Sequence, residues 1–455
     1  MIELIRLVLP YLFILYFVVK GIKEPLYFLG IPFLMFMSES IFFEGVKLFQ
    51  IPGRLDFGLM LIWIVICRIL SIIIPTVKGN IEISNNNRLD ILDYCIIGLM
   101  LISFVGLCMT FINYSNSTNI FKEFVILISM FASYFIIKNW SSQYKPEVLV
   151  KFLFSLLIIN SIASILYILH QGLHLRIYLS EEYLTEIING EEITRTFWFM
   201  PQFLFFSIAF SLVHREKKPF LFTVLLIVNL LATFITYFRS FLIIAVIIFL
   251  FYFILTGLKK GRLGMVVKNV FIFSVVAVLG FIMVSKFLPA NTKYLMDRFS
   301  EITKPRLTRE PNNLEYRFTN TGIIISNMDE NKKILGMGSV TENQLSWVRS
   351  MRQTTADMVW AGVIFRWGFV GFVLFILLYL FSVFKAFNIY MKSEGVLSEL
   401  ALLFLLFIIS QIIQSLIDWT FMSGHGFAIG LWYFAMLSAL VGFNRTKVLS
   451  EEKII

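Results

Sequence analysis

Thirteen apolar runs, most of them about twenty residues long, follow one another along this chain. They fall at roughly 5–20, 25–43, 57–77, 91–113, 120–138, 148–170, 197–214, 219–238, 240–257, 264–288, 357–384, 397–418 and 424–443. A helix that crosses a bilayer needs about 20 mostly apolar residues. Hydrocarbon offers no water to backbone N–H and C=O groups, so each crossing segment must satisfy its own, as a helix does. The expected fold is an all-α integral membrane protein with about 12–14 transmembrane helices. The count is a range because Pro25, Pro32 and Glu39 interrupt the second run. Composition agrees: 58% of the 455 residues are hydrophobic and 15% charged, against about 45–50% and about a quarter in soluble domains. A soluble enzyme, a disordered chain and a disulfide scaffold are thereby excluded. The first run starts almost at once, with no charged leader and cleavage site before it, and reads as an uncleaved span.

Connectors are short except for residues 171–196 and the 68 residues from Pro289 to Ala356. Lysine and arginine in short loops set orientation. One set of alternating loops, together with the C-terminal tail, carries nineteen of them, including Lys78, Lys138, Lys217, Lys259 and Lys385. The opposite set, leaving out the 68-residue segment, carries seven: Arg6, Lys47, Arg54, Lys122, Arg176, Arg195 and Arg239. The first set is therefore expected in the cytoplasm and both long connectors outside it. This divides the chain into N-terminal helices (1–194), central helices (195–288), an extracytoplasmic Arg-rich loop (289–356) and C-terminal helices (357–455).

Cys67, Cys95 and Cys108 all lie inside apolar runs without a CxxC pair, so neither a disulfide framework nor a thiolate metal site is expected. No HExxH and no G-x-x-x-x-G-K loop is present. The large loop holds ten basic residues, among them Arg298, Arg306, Arg309 and Arg317, and seven acidic ones. Guanidinium groups grip phosphate oxygens in bidentate fashion and keep their proton, which suits a lipid pyrophosphate at a membrane surface. The alternative is a solvated loop whose charges keep it out of lipid. Arg195 stands where the first long connector enters a span, as an interfacial anchor or a ligand group. Arg239 falls between two apolar runs with almost no polar loop, at the outer mouth of a tight helical hairpin. Arg68 and Arg366 lie within apolar runs. Intramembrane charge is costly, so each needs a partner or a water-filled cavity; Asp93, Glu39 and Asp418 are the candidate partners. His425 reads as a turn residue.

Four segments together resemble the O-antigen polymerase and ligase superfamily, membrane enzymes that transfer lipid-linked glycans outside the cytoplasm. They are Arg195-Thr-Phe-Trp-Phe-Met-Pro201-Gln202, Thr236-Tyr-Phe-Arg239-Ser240, Glu315-Tyr-Arg317 followed by Gly336-Met-Gly338, and Gly368-Phe-Val-Gly371. The likeness covers roughly residues 195–371 and lies in order, spacing and expected side. Gly-Thr-Phe is here Arg-Thr-Phe, and Pro-Asn is Pro-Gln. The histidine that ligases place eleven residues before Gly-x-x-Gly is replaced by Asp357, which moves the likeness toward polymerase.

The resemblance implies a GT-C-like, metal-independent glycosyltransferase without a cofactor. It would join undecaprenyl-pyrophosphate-linked repeat units, with one lipid-linked glycan as donor and a sugar hydroxyl of another as acceptor. The implied place is the cytoplasmic (inner) membrane, with the site on its outer face. A chain-length regulator and a flippase are implied partners, and no nucleic acid is expected. Arg317 and Arg239 would stabilise the departing pyrophosphate, with Arg195, Arg298, Arg306 and Arg309 binding substrate. Asp357 is the candidate base for the acceptor hydroxyl, and Glu315 the reserve. Ligase-type transfer to another acceptor and a glycan flippase are the alternatives; a transporter keeps its charges near the midplane on broken helices.

Overall fold

The computed structural model describes residues 2–37, 56–73, 89–114, 117–172, 183–188, 191–196, 201–236, 238–287, 325–338, 359–417 and 425–452. It also describes positions 292–293, 296–297, 299 and 322–323. The apolar runs become helices: α1 Ile2–Lys23, α2 Gly30–Met37 after a 3-10 turn Pro25–Leu29, α3 Asp56–Ile73, α4 Ile91–Tyr114, α5 Ser117–Ser141 and α6 Pro146–Gly172. There follow α7 Pro201–Val213, α8 Pro219–Ile235, α9 Arg239–Lys259, α10 Leu263–Phe287, the short α11 Glu330–Leu335, α12 Val359–Lys392, α13 Gly395–Ile417 and α14 His425–Glu452. Proline opens α6, α7 and α8, where its missing N–H removes no helical bond. Among the described residues five helices are long and apolar enough to cross a membrane, and six shorter apolar helices accompany them. The chain is a helical, multi-pass membrane protein.

One departure from this plan lies in the connector at 171–196. Strands β1 (Tyr183–Ile188) and β2 (Glu191–Thr196) pair antiparallel there, with Leu184 opposite Arg195.

Lysine side chains define one end of the bundle. Lys138 on α5 pairs with buried Asp93 on α4, and Tyr134 donates to the same carboxylate at 2.9 Å. Lys385 on α12 lies 2.6 Å from Asp90, which also accepts from Ser438 of α14 at 2.9 Å. Burial pushes the Asp90 carboxyl up, but the hydrogen bond and charge of Lys385, with Lys138 and Ser438, outweigh it and hold it below its ordinary value. Lys259 at the end of α9 donates to the Tyr390 and Ser393 carbonyls, each at 2.6 Å, capping α12. Lys217 reaches Glu399 on α13 at 2.5 Å. These contacts place the starts of α4 and α13 and the ends of α5, α7, α9 and α12 together, at what is called here the basic end. Arg239, Gln202 and the start of α12 are then at the opposite, loop end.

Neutral groups join the helices between the two ends. Asn229 of α8 donates to Ser161 of α6 at 2.9 Å and accepts from Asn160 and Ser164 at 3.1 and 3.0 Å. Asn160 also donates to Ser207 of α7 at 2.9 Å. Such side-chain bonds substitute for the hydrophobic drive that lipid removes from helix association. The core beside them is aromatic. Tyr433 of α14 lies 4.9 Å from Phe206 and 4.3 Å from Phe407, and Trp432 lies 4.7 Å from Phe33. Trp432 completes its polar edge by donating to Ser133 of α5 at 2.8 Å. Outward faces carry exposed apolar side chains such as Leu15, Phe104, Phe271 and Phe384, as a hydrocarbon solvent requires.

Candidate functional site at the loop end

Helix α12 is broken at Gly368, whose φ of 62° and ψ of −169° no helical residue adopts. A break leaves the last carbonyls of the leading turn without intrahelical donors. The segment after α11 supplies two. The Met337 N–H donates to the Phe365 carbonyl at 2.7 Å, and the Gly338 N–H to the Arg366 carbonyl at 3.1 Å. The approach is backbone to backbone. Gly336 and Gly338 both have positive φ, 83° and 73°. A Cβ on Gly368 would stand 2.5 Å from the Gly336 nitrogen, and one on Gly338 would stand 2.8 Å from the Gly106 carbonyl carbon of α4. Met337 is buried in the junction, and Thr110 completes it by donating to the Gly106 carbonyl at 2.8 Å. Two of the quoted glycine segments, Gly336-Met-Gly338 and Gly368-Phe-Val-Gly371, are thus one structural unit. The connector's far part is pinned to the first turns of α12.

The depth of this junction follows from helix lengths. From Lys385, in the basic-end charge layer, nineteen residues (385 − 366) lead back to Arg366, which is about 28 Å at 1.5 Å per residue. A hydrocarbon core is about 30 Å thick. Arg366 is thus about one core thickness away from the Lys385 charge layer. Its guanidinium lies 3.9 Å from Glu123 of α5, with the two side chains 41% and 15% exposed.

Neutral polar groups also stand at the loop end. The ring contact of Phe206 with Phe407 and the approach of His214 to Glu399 fix α7 and α13 antiparallel, in a register that puts Gln202 level with Gln411. Both glutamines are buried. Among the described residues the Gln202 amide and the Gln411 carbonyl have no hydrogen-bond partner. The Gln411 amide donates to Gln414 at 3.3 Å, and Trp360 donates to Ser415 at 3.1 Å.

Of the sequence candidates, Arg239 opens α9 and is half-buried, four residues after the last residue of α8; its neighbour Phe241 packs on Phe205 of α7 at 5.5 Å. Arg195 lies on β2. Arg298, Arg306, Arg309, Arg317, Asp357 and Glu315 lie outside the described residues. Of the expected acidic partners of the intramembrane arginines, Asp93 is taken by Lys138, while Glu39 and Asp418 lie outside the described residues. Arg68 bonds neutral groups, Ser71 at 3.1 Å and Asn139 at 3.2 Å, and lies over the Trp140 ring at 5.7 Å. Near the end of α3 its long side chain reaches the α5 terminus. Arg366 faces Glu123, while Asp93 serves Lys138. Glu123 and Gln411 are the residues that sequence reasoning missed. Glu123 had a faint signal, as the last acid before the long apolar stretch Phe124–Ile137. No protein-family model matches the chain, and no curated protein matches it.

Proposed function

We propose that this protein polymerises lipid-linked oligosaccharide repeat units into a surface polysaccharide at the outer face of the cytoplasmic membrane, as a GT-C-like glycosyltransferase of the O-antigen-polymerase type. The observation that carries the reading is the junction of Gly336–Gly338 with Gly368. It ties the Arg-rich connector to α12 about one core thickness from the Lys385 charge layer, where a lipid pyrophosphate and a sugar from water can meet. In this reading Arg317 and Arg239 stabilise the leaving pyrophosphate, and Asp357, two residues before α12, takes the acceptor proton. Arg195 and the loop arginines 298, 306 and 309 hold the anionic substrates.

One observation favours a second reading, a lipid-linked glycan transporter: α12 is a broken helix, and transporters bind at helix breaks. Position weighs against it. From Lys385 in the basic-end charge layer back to the break is seventeen residues (385 − 368), about 26 Å, most of a core about 30 Å thick. The break therefore lies toward the far side of the core, away from the midplane where transporter sites sit. Deleting the protein separates the readings by what accumulates. A polymerase null accumulates single lipid-linked repeat units outside, a ligase null long lipid-linked chains, and a transporter null units trapped in the cytoplasm. Either of the last two outcomes would overturn the proposal.

A further inference from the structure

The ion pair at the junction is longer than the charged contacts of the basic end, which run from the short lysine pairs to His214–Glu399 at 3.6 Å. There Lys385 and Lys217 approach their carboxylates to 2.6 and 2.5 Å. Arg366 stands 3.9 Å from Glu123, beyond the 2.7–2.9 Å or so of a formed charge-assisted hydrogen bond. Helices α4 and α14 each pack against both α5 and α12, and the Arg366–Glu123 pair links those two helices. The main chain at Arg366 is fixed, because its carbonyl is bonded to the Gly338 N–H and hemmed in by Gly336. The side chain is 41% exposed. Exposure of a guanidinium to lipid tails is costly, so that surface faces water or a head group. A fixed backbone, a loose carboxylate contact and an open guanidinium describe a cation that can exchange one anion for another.

We propose that Arg366 binds the phosphate of a membrane lipid, and that Glu123 is the competing anion it leaves to do so. The class of ligand is a lipid phosphate or pyrophosphate monoanion or polyanion. Guanidinium suits it, because two parallel N–H groups match two phosphate oxygens, while a single carboxylate held at 3.9 Å offers neither geometry. The source is either the lipid-linked pyrophosphate of the proposed reaction or a bulk acidic phospholipid. Only the first source rests on the polymerase reading.

Equilibrium binding in maltoside micelles, which carry no phosphate, tests this with two probes: undecaprenyl pyrophosphate without a glycan, and phosphatidylglycerol. Arg366→Gln should weaken binding at least about tenfold, as loss of a charged hydrogen-bond donor does. Arg366→Lys should fall between, since ammonium keeps the charge and loses the fork. Glu123→Gln should tighten binding by up to about fivefold, the worth of an exposed ion pair no longer competing. A damaged fold cannot tighten binding, so this arm stands even if a variant loses stability. If only the pyrophosphate probe follows the pattern, the site serves the substrate; if both do, it serves any lipid phosphate. Binding that is unchanged in Arg366→Gln, or weakened by Glu123→Gln, overturns the proposal and leaves a structural ion pair. Binding as expected without chain growth retires the polymerase reading and keeps this site, and chain growth with unaffected binding does the reverse.

Discussion

Gly368→Ala should release the 334–338 segment from α12. The substitution meets two obstacles. With φ at 62° and ψ at −169°, Gly368 occupies a region that is essentially glycine-only, and a side chain there costs about 1–3 kcal/mol. The new Cβ would also stand 2.5 Å from the Gly336 nitrogen and nearer still to the Ile334 carbonyl, so docking as observed is sterically closed. Undocking forfeits the Met337–Phe365 and Gly338–Arg366 bonds, worth about 1 kcal/mol each. It also exposes Met337, now 6% exposed, at about 1.5–3 kcal/mol if it becomes fully wet. Docking is then worth about 3–5 kcal/mol. An alanine that abolishes it lowers protection of these amides by about 10²-fold to 4 × 10³-fold, at 1.4 kcal/mol per decade. Hydrogen exchange with mass spectrometry on peptides covering 330–340, in detergent, reads this directly. Gly261→Ala is the control: its φ is also 62°, but a Cβ there meets nothing within 4 Å, so its effect should stay in the α9–α10 turn. If the 330–340 amides exchange alike in wild type and Gly368→Ala, the junction does not hold the connector and the placement of the site fails.

Arg239→Ala and Arg317→Ala should abolish polymer while expression persists, with Lys rescuing poorly because ammonium cannot copy bidentate phosphate geometry; near-normal chain growth with Lys at both positions would reduce the pair to simple anchors. Asp357→Asn should lose about 10²–10⁴-fold in turnover while still binding donor, as loss of a general base does; a helix cap would tolerate Asn and suffer from Ala, so normal polymer in Asp357→Asn moves the base to Glu315. His214 stacks on Phe210 at 4.1 Å and is buried; burial lowers its pKa, against smaller upward pulls from the Phe210 carbonyl and Glu399. A base depressed in the folded state binds fewer protons than the unfolded chain, so stability should fall as pH drops below about 6.5. His214→Gln should flatten that acid-side loss in thermal unfolding between pH 7.5 and 5.5, and an equally steep loss in the variant would place its origin elsewhere.

The helices were legible because hydrocarbon demands one pattern. The run at 91–113 becomes Ile91–Tyr114, and that at 264–288 becomes Leu263–Phe287. The hairpin in the 171–196 connector also had a signal. Asn189-Gly190 stands between its strands, a two-residue sequence suited to a tight β-turn, which a plain connector reading leaves unused. Partners of the intramembrane charges were not legible. Arg366 meets Glu123, and Arg68 meets Asn139, through helix neighbours that no local pattern encodes. The glycine segments could be seen singly, each as a short motif. That Gly336 and Gly368 interlock across 32 residues (368 − 336) depends on a helix break whose free carbonyls face the arriving chain. Glu123 and Gln411 were overlooked for the same reason: their meaning lies in what stands beside them.

Purified protein in lipid nanodiscs, given a single lipid-linked repeat unit and no other enzyme, tests the central claim most directly. The account predicts a ladder of products growing by whole repeat units on undecaprenyl pyrophosphate, lost in Arg239→Ala. Intact single units after prolonged incubation with folded protein would contradict it.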